Sequence, residues 1–308
     1  MSLNIRSFFL DRSGEVRAGW RIVLFMVAVL ILGVLLIEPR SLLPGSLSFM
    51  GNVLILAAGL GATWVATKFL NRKPFTAVGL ALYDRTPRDF GAGCLLGFLM
   101  MTGIFLIELG LGYAVPAWRD LSPLDAVWVA TGSLAWFGAG ALGEEVLFRG
   151  YAFQTLIQAL TFLPATILMA IIFALAHVQN PNVTLLSLTN VALAGLLFSI
   201  AYMKTRSLWL PFGLHMSWNF SQTTLYGFPT SGIADASRSF VVLKQSGPDW
   251  VVGGPFGPEG GILATFALIV CTWYILKAGY MNAPEGIITL DSVEDLVPPR
   301  RATGAPAS

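Results

Sequence analysis

Long apolar runs broken by short polar clusters dominate the chain. A helix crossing ~30 Å of hydrocarbon at ~1.5 Å per residue needs about 20 mostly apolar residues. By that measure spans are predicted near Ile22–Ile37, Met50–Leu70, Phe90–Val115 and Leu124–Leu147. Further spans are predicted near Pro164–Val178, Val183–Met203, Leu208–Phe228 and Gly261–Tyr280. The fourth is expected to continue as helix to about Leu160. The fifth is short and carries His177 near its end. The pattern predicts an all-α, polytopic membrane helix bundle of about eight transmembrane helices.

Polar stretches divide the chain further. Residues 1–21 form a cytoplasmic lead-in and residues 22–280 a transmembrane domain, with its functional core at about 124–228. Within it, 229–260 reads as an extramembrane loop rich in Gly, Pro and Ser (QSGPDWVVGGPFGPEGG), either a connector or a cap over the bundle. Residues 281–308, ending PPRRATGAPAS, read as a disordered cytoplasmic tail.

Composition agrees with a lipid environment: 55% of residues are hydrophobic and 12% charged, against about 25% charged in a typical soluble domain. A net charge of +2 gives no reason to expect nucleic acid. Cys94 and Cys271 lie inside apolar runs and suggest neither a disulfide framework nor zinc-finger spacing. With the N-terminus inside, 15 of the 19 basic residues fall on the inner side, leaving Arg40, Arg119, Arg238 and Lys244 outside. The inner set includes Arg6, Arg12, Arg17, Arg21, Arg300 and Arg301; Arg149 is its one uncertain member, because it sits in a motif. The bias predicts an integral membrane protein with both termini cytoplasmic.

Against this background GEEVLFRG, Gly143 to Gly150, is an energetic oddity, because charges within spans are costly. Glu145 and Arg149 stand four apart, the favourable orientation for a helical ion pair. Glu144 lies ~100° round the helix and is expected to remain free. A free, partly desolvated carboxylate suits a general base. The chain has two histidines, His177 and His215, and both fall in predicted helices. Phe173 precedes His177 by four residues, and Asn219 follows His215 by four, so each pair shares a helix face. A turn near Thr161, before Pro164, would put Glu144 and His177 each ~25 Å along antiparallel arms, at similar heights. Singly, these features suit a structural ion pair, a core histidine, helix–helix glue and aromatic packing. Together they concentrate catalytic residue types on three helices.

The three motifs, GEEVLFR, FALAH and HMSWN, fit EExxxR, FxxxH and HxxxN in order and spacing. Over about Leu142 to Asn219 the chain therefore resembles the CPBP intramembrane proteases, the Abi or type II CAAX prenyl endopeptidase-like family. The resemblance implies hydrolysis of a peptide bond in a membrane-anchored or lipidated, CAAX-like protein or peptide. It implies Glu144 and His177 holding and activating water, and His215 and Asn219 stabilising the oxyanion. Glu145, Arg149 and Phe173 would be supporting residues. No cofactor is expected. A zinc alternative would use His177, His215 and Glu144, but there is no HExxH, and metal would leave Asn219 unexplained.

The expected partners are a peptide or lipidated substrate and the bilayer. A non-catalytic immunity or scaffold protein binding a bacteriocin-like peptide is the alternative of a different class. A proton-coupled transporter is a third, and the missing internal repeat counts against it.

Overall fold

The computed structural model describes residues 8–11, 14–37, 50–283 and 289–290. Its helices are α1 (Ala18–Ile37), α2 (Met50–Ala66), α3 (Thr86–Gly110), α4 (Pro123–Glu145), α5 (Ala152–Leu160), α6 (Phe162–Ala176), α7 (Leu185–Thr205), α8 (Trp209–Phe220) and α9 (Ile262–Lys277). A π-helical turn, Val146–Tyr151, joins α4 to α5 as one helical segment of 38 residues, kinked at Gly150 (φ −74°, ψ −115°). Counted that way, the described residues contain the eight expected helical segments. Five are long and apolar enough to cross a membrane, while α6 and α9 are shorter apolar helices. Their outward faces carry exposed Leu, Ile, Val, Phe and Trp, as lipid contact requires.

Local chemistry sets the ends. Ser122 caps α4 by accepting from Asp125 N at 3.2 Å, with Pro123 in the first turn. Thr184 and Ser187 form a reciprocal capping box on α7. Thr161 (φ +69°) reverses the chain between α5 and α6, where the sequence placed the turn.

The predicted third span ran to Val115, but α3 stops at Gly110. Gly112 (φ +72°) turns the chain into strand β1 (Ala114–Trp118). β1 pairs antiparallel with β2 (Val241–Gln245), from Ala114 opposite Gln245 to Trp118 opposite Val241. This small sheet ties the segment after α3 to the 229–260 segment, so both lie at one end of the bundle. That end is the cap; the opposite end is the base.

The disordered tail also needs correcting where it is described. Leu290 is 1% exposed and joins the apolar cluster of Phe25, Val78 and Tyr151 at the base. Its backbone N donates to Gln154 Oε1 at 3.0 Å, and its carbonyl accepts from the Gln158 amide. Burying an apolar side chain and satisfying the buried Gln154 amide gives this short segment a reason to pack. The tail beyond 290, and Arg6, Arg12, Arg40, Arg300 and Arg301, lie outside the described residues.

One helix contact positions the site. α3 and α8 run parallel in direct backbone contact through Gly93, Gly97 and Gly213. A Cβ on Gly93 would fall 2.2 Å from the Leu210 carbonyl oxygen. One on Gly97 would fall 2.3 Å from that of Leu214, and one on Gly213 2.3 Å from that of Phe90. Small residues four apart let membrane helices approach this closely. The contact fixes the depth and rotation of α8, which carries His215 and Asn219.

Candidate active site

The GEEVLFRG stretch straddles the change from α to π geometry, with Glu144 and Glu145 ending α4 and Arg149 in the π turn. Arg149 is fully buried. Its Nη1 donates to Glu145 Oε1 at 3.2 Å and its Nη2 to the Gly195 carbonyl at 3.1 Å. The guanidinium lies 4.3 Å from the Phe173 ring centroid and 5.1 Å from that of Phe198, at cation–π range. Gly195 leaves room for this, since a Cβ there would meet Arg149 Nη2 at 3.4 Å and Ala170 Cα at 3.0 Å.

The same Glu145 oxygen accepts from His215 Nδ1 at 3.0 Å. The His215 ring stacks on Phe198, with centroids 4.8 Å apart and planes at 18°. Its Nε2 stands 3.9 Å from Glu144 Oε2, an ion-pair distance but too long for a hydrogen bond. Among the described residues Glu144 makes no hydrogen bond, and its side chain is 34% exposed. The expected division holds as geometry: Glu145 is engaged by Arg149 and Glu144 is left free. The structure adds that Glu145 also anchors His215.

His177 is not helical. It follows the last residue of α6, at φ −101° and ψ 1°, because the helix ends as the chain turns into Val178–Asn180. Its Nδ1 lies 2.8 Å from the Phe173 carbonyl oxygen. A carbonyl only accepts, so Nδ1 carries a proton, and in the neutral ring Nε2 is the acceptor. The Phe173 ring sits 4.8 Å from the His177 ring. Asn219 makes no hydrogen bond among the described residues.

Glu144, His177, His215 and Asn219 line one cavity of about 420 Å³, with Phe173 also in its wall. Glu145 and Arg149 lie behind that wall. The rest of the lining is largely apolar, including Phe137, Leu147, Val191 and Trp218. No direct contact joins Glu144 to His177; they share the cavity, and His215 is the nearer histidine.

Residues from the 229–260 segment roof this space. Glu259 Oε2 accepts from Ser231 N (2.6 Å) and Ser231 Oγ (2.8 Å), and Glu259 Oε1 accepts from Trp218 Nε1 (3.2 Å). Asn180 donates to the Ser231 carbonyl at 3.1 Å. Asn190 bridges α7 to this roof through the carbonyls of Glu259 and Gly261, each at 2.8 Å. The segment is therefore a cap. Sequence reasoning missed Phe198, Gly195, Asn190 and Glu259. An Asn within the sixth predicted apolar stretch, NVALAGLLFSI, was a usable signal for Asn190, whereas nothing distinguished Phe198 from core packing.

The zinc alternative can be tested on these donors. Among the described residues no three His, Cys, Asp or Glu side chains converge to hold a metal. His215 Nδ1 engages Glu145 and His177 Nδ1 engages Phe173, which leaves both Nε2 atoms and the Glu144 carboxylate as the open donors. No step is derived through a metal.

Comparison with known proteins supports the motif-based resemblance. Residues 126–221 match the family described as Type II CAAX prenyl endopeptidase Rce1-like. The chain is also 23% identical over 177 residues to YyaK of Bacillus subtilis (strain 168), described as uncharacterized. That similarity covers 56% of this chain and 58% of YyaK, so it spans little more than half of that relative. No solved structure matches. The matched segment contains Glu144, Glu145, Arg149, His177, His215 and Asn219. The likeness to the Rce1-like family is thus carried by residues 126–221, within a bundle whose long apolar helices fit a membrane.

Proposed function

We propose that the protein is an intramembrane endopeptidase that hydrolyses a peptide bond of a membrane-anchored or lipidated substrate using water activated by Glu144. One observation carries this reading: of two adjacent glutamates, Glu145 is consumed by Arg149 and His215, while Glu144 faces an apolar cavity without a hydrogen-bond partner. Glu144 takes a proton from the water, and His177 Nε2 accepts the water's other hydrogen bond. The water oxygen bonds to the scissile carbonyl carbon. The oxyanion accepts from Asn219 Nδ2 and, with the imidazole protonated, from His215 Nε2. Collapse breaks the C–N bond, and Glu144 returns its proton to the departing amine. Glu145 and Arg149 orient His215, while Phe173 fixes the tautomer and tilt of His177.

In this reading no resident metal is needed, and the protein sits in a prokaryotic plasma membrane with both termini cytoplasmic. The test is peptide hydrolysis by the purified full-length protein in detergent, comparing wild type with Glu144→Gln, His177→Ala and His215→Ala. Each variant should remain folded and lose cleavage. A cellular phenotype that survives Glu144→Gln would instead make this a peptide-binding scaffold. Cleavage abolished by chelation and restored by zinc would replace glutamate-activated water with metal-assisted hydrolysis.

A further inference from the structure

The helix ends around the cavity all belong to the same end of the bundle. Asn52 and Ile55 open α2, Ala176 and His177 close α6, Asn190 is in the second turn of α7, and Ala264 is in the first turn of α9. Above them lie Ser231, Ile233 and Glu259 of the cap. The exposed rim is at this end too: Ile233 is 60% exposed and Ile55 38%. Toward the base the space is shut. Val146, Arg149, Tyr151 and Leu208 are each 0% exposed, and behind them lies the cluster that also buries Leu290.

Charge gives the two ends different addresses. Outside the site, thirteen Lys and Arg are described. Ten belong to the base: Arg17, Arg21, Lys68, Arg72, Lys73, Arg85, Arg88, Lys204, Arg206 and Lys277. The cap has only Arg119, Arg238 and Lys244. Basic residues near span ends stay on the cytoplasmic side, so the base faces the cytoplasm and the cap faces outward.

We infer that the cavity receives its peptide from the extracytoplasmic side, so the substrate class is an exported, membrane-anchored or lipid-bearing peptide whose scissile bond lies in or above the outer leaflet. This inference rests on the protease reading for its substrate, but its sidedness stands on topology and charge alone. A cytosolic C-terminal tail, the placement a CAAX substrate would have, meets the closed base.

The test uses the full-length chain with Cys94→Ala and Cys271→Ala, carrying either Ile233→Cys at the cap or the exposed Lys277→Cys at the base. Intact cells are treated with a membrane-impermeant maleimide. Ile233→Cys should label directly and Lys277→Cys only after permeabilisation; the reverse pattern overturns the inference. Right-side-out and inverted vesicles of the wild-type chain are then given the same palmitoylated decapeptide in the bath. Cleavage by right-side-out vesicles, lost in Glu144→Gln, is the expected result. Cleavage confined to inverted vesicles, or equal in both, overturns the sidedness and leaves the protease reading intact. If neither vesicle type cleaves, the result counts against the protease reading, while the cysteine labelling still decides which side the cavity faces.

Discussion

Glu144 and Glu145 are neighbours in the chain and opposites in surroundings. Glu145 is 0% exposed and shares one oxygen between a guanidinium and an imidazole, both themselves buried. Glu144, one residue earlier, meets a cavity and no donor within hydrogen-bond distance among the described residues. The difference comes from ~100° of helix rotation, which turns one carboxylate toward α7 and α8 and the other into open space. The inner half of the site thus spends its charges on one another. The outer half leaves Glu144, His177 and Asn219 along the cavity wall.

Substitutions can break this contrast. Glu144→Gln should lower kcat by ~10²–10⁴, the range for general-base catalysis, with no loss of thermal stability in detergent; a large drop in melting temperature would mean that Glu144 is structural after all. Arg149→Met should do the opposite, destabilising the fold by ~3–5 kcal/mol, because it strands Glu145 as a buried, uncompensated charge. Adding Glu145→Gln to it should cost less than the sum of the two single changes, because the partners are coupled; strict additivity in thermal unfolding would deny the pair. Asn219→Ala should reduce kcat by ~10²–10³, as expected for losing an oxyanion donor, while KM and stability hold. A change in KM alone would reassign Asn219 to substrate binding.

The smallest effect tests what holds the two halves in register. Gly97→Ala puts a Cβ against the Leu214 carbonyl and Ser217 Oγ and should cost ~1–3 kcal/mol by overpacking. It should also shift the pH–rate profile, because α8 must move and His215 moves with it. An unchanged profile would mean that Glu145 alone, not the helix contact, places the imidazole.

Much of this arrangement was legible in the sequence. The helix count, the turn at Thr161 and the place of Glu144 and His177 on one cavity are in keeping with apolar run length and a fixed rise per residue. The Glu145–Arg149 pair follows from i,i+4 spacing. The Glu145–His215 bond does not, because it depends on how far α8 is rotated, and that is set by backbone contact with α3 at three glycines. The sheet was hidden for another reason: AVPAW contains a proline and VVLKQ sits in a Gly-rich loop, and only their pairing makes either one a strand. His177 was read as helical because apolar periodicity continues into Val178 although the backbone hydrogen bonding has already turned away.

The length of α4 has one more consequence. Its 23 residues rise ~35 Å at ~1.5 Å per residue, already more than the hydrocarbon thickness of ~30 Å, before the chain bends at Gly150. The excess has to be absorbed by tilt or by protruding ends, and each ångström of hydrophobic mismatch costs only a fraction of a kcal/mol. Glu144 rides near the end of α4 and His177 just past the much shorter α6, so the two arms of the hairpin answer differently to bilayer thickness. The spacing across the cavity works like a caliper set by the acyl chains around it, and reconstitution into lipids of graded chain length would read it as graded activity.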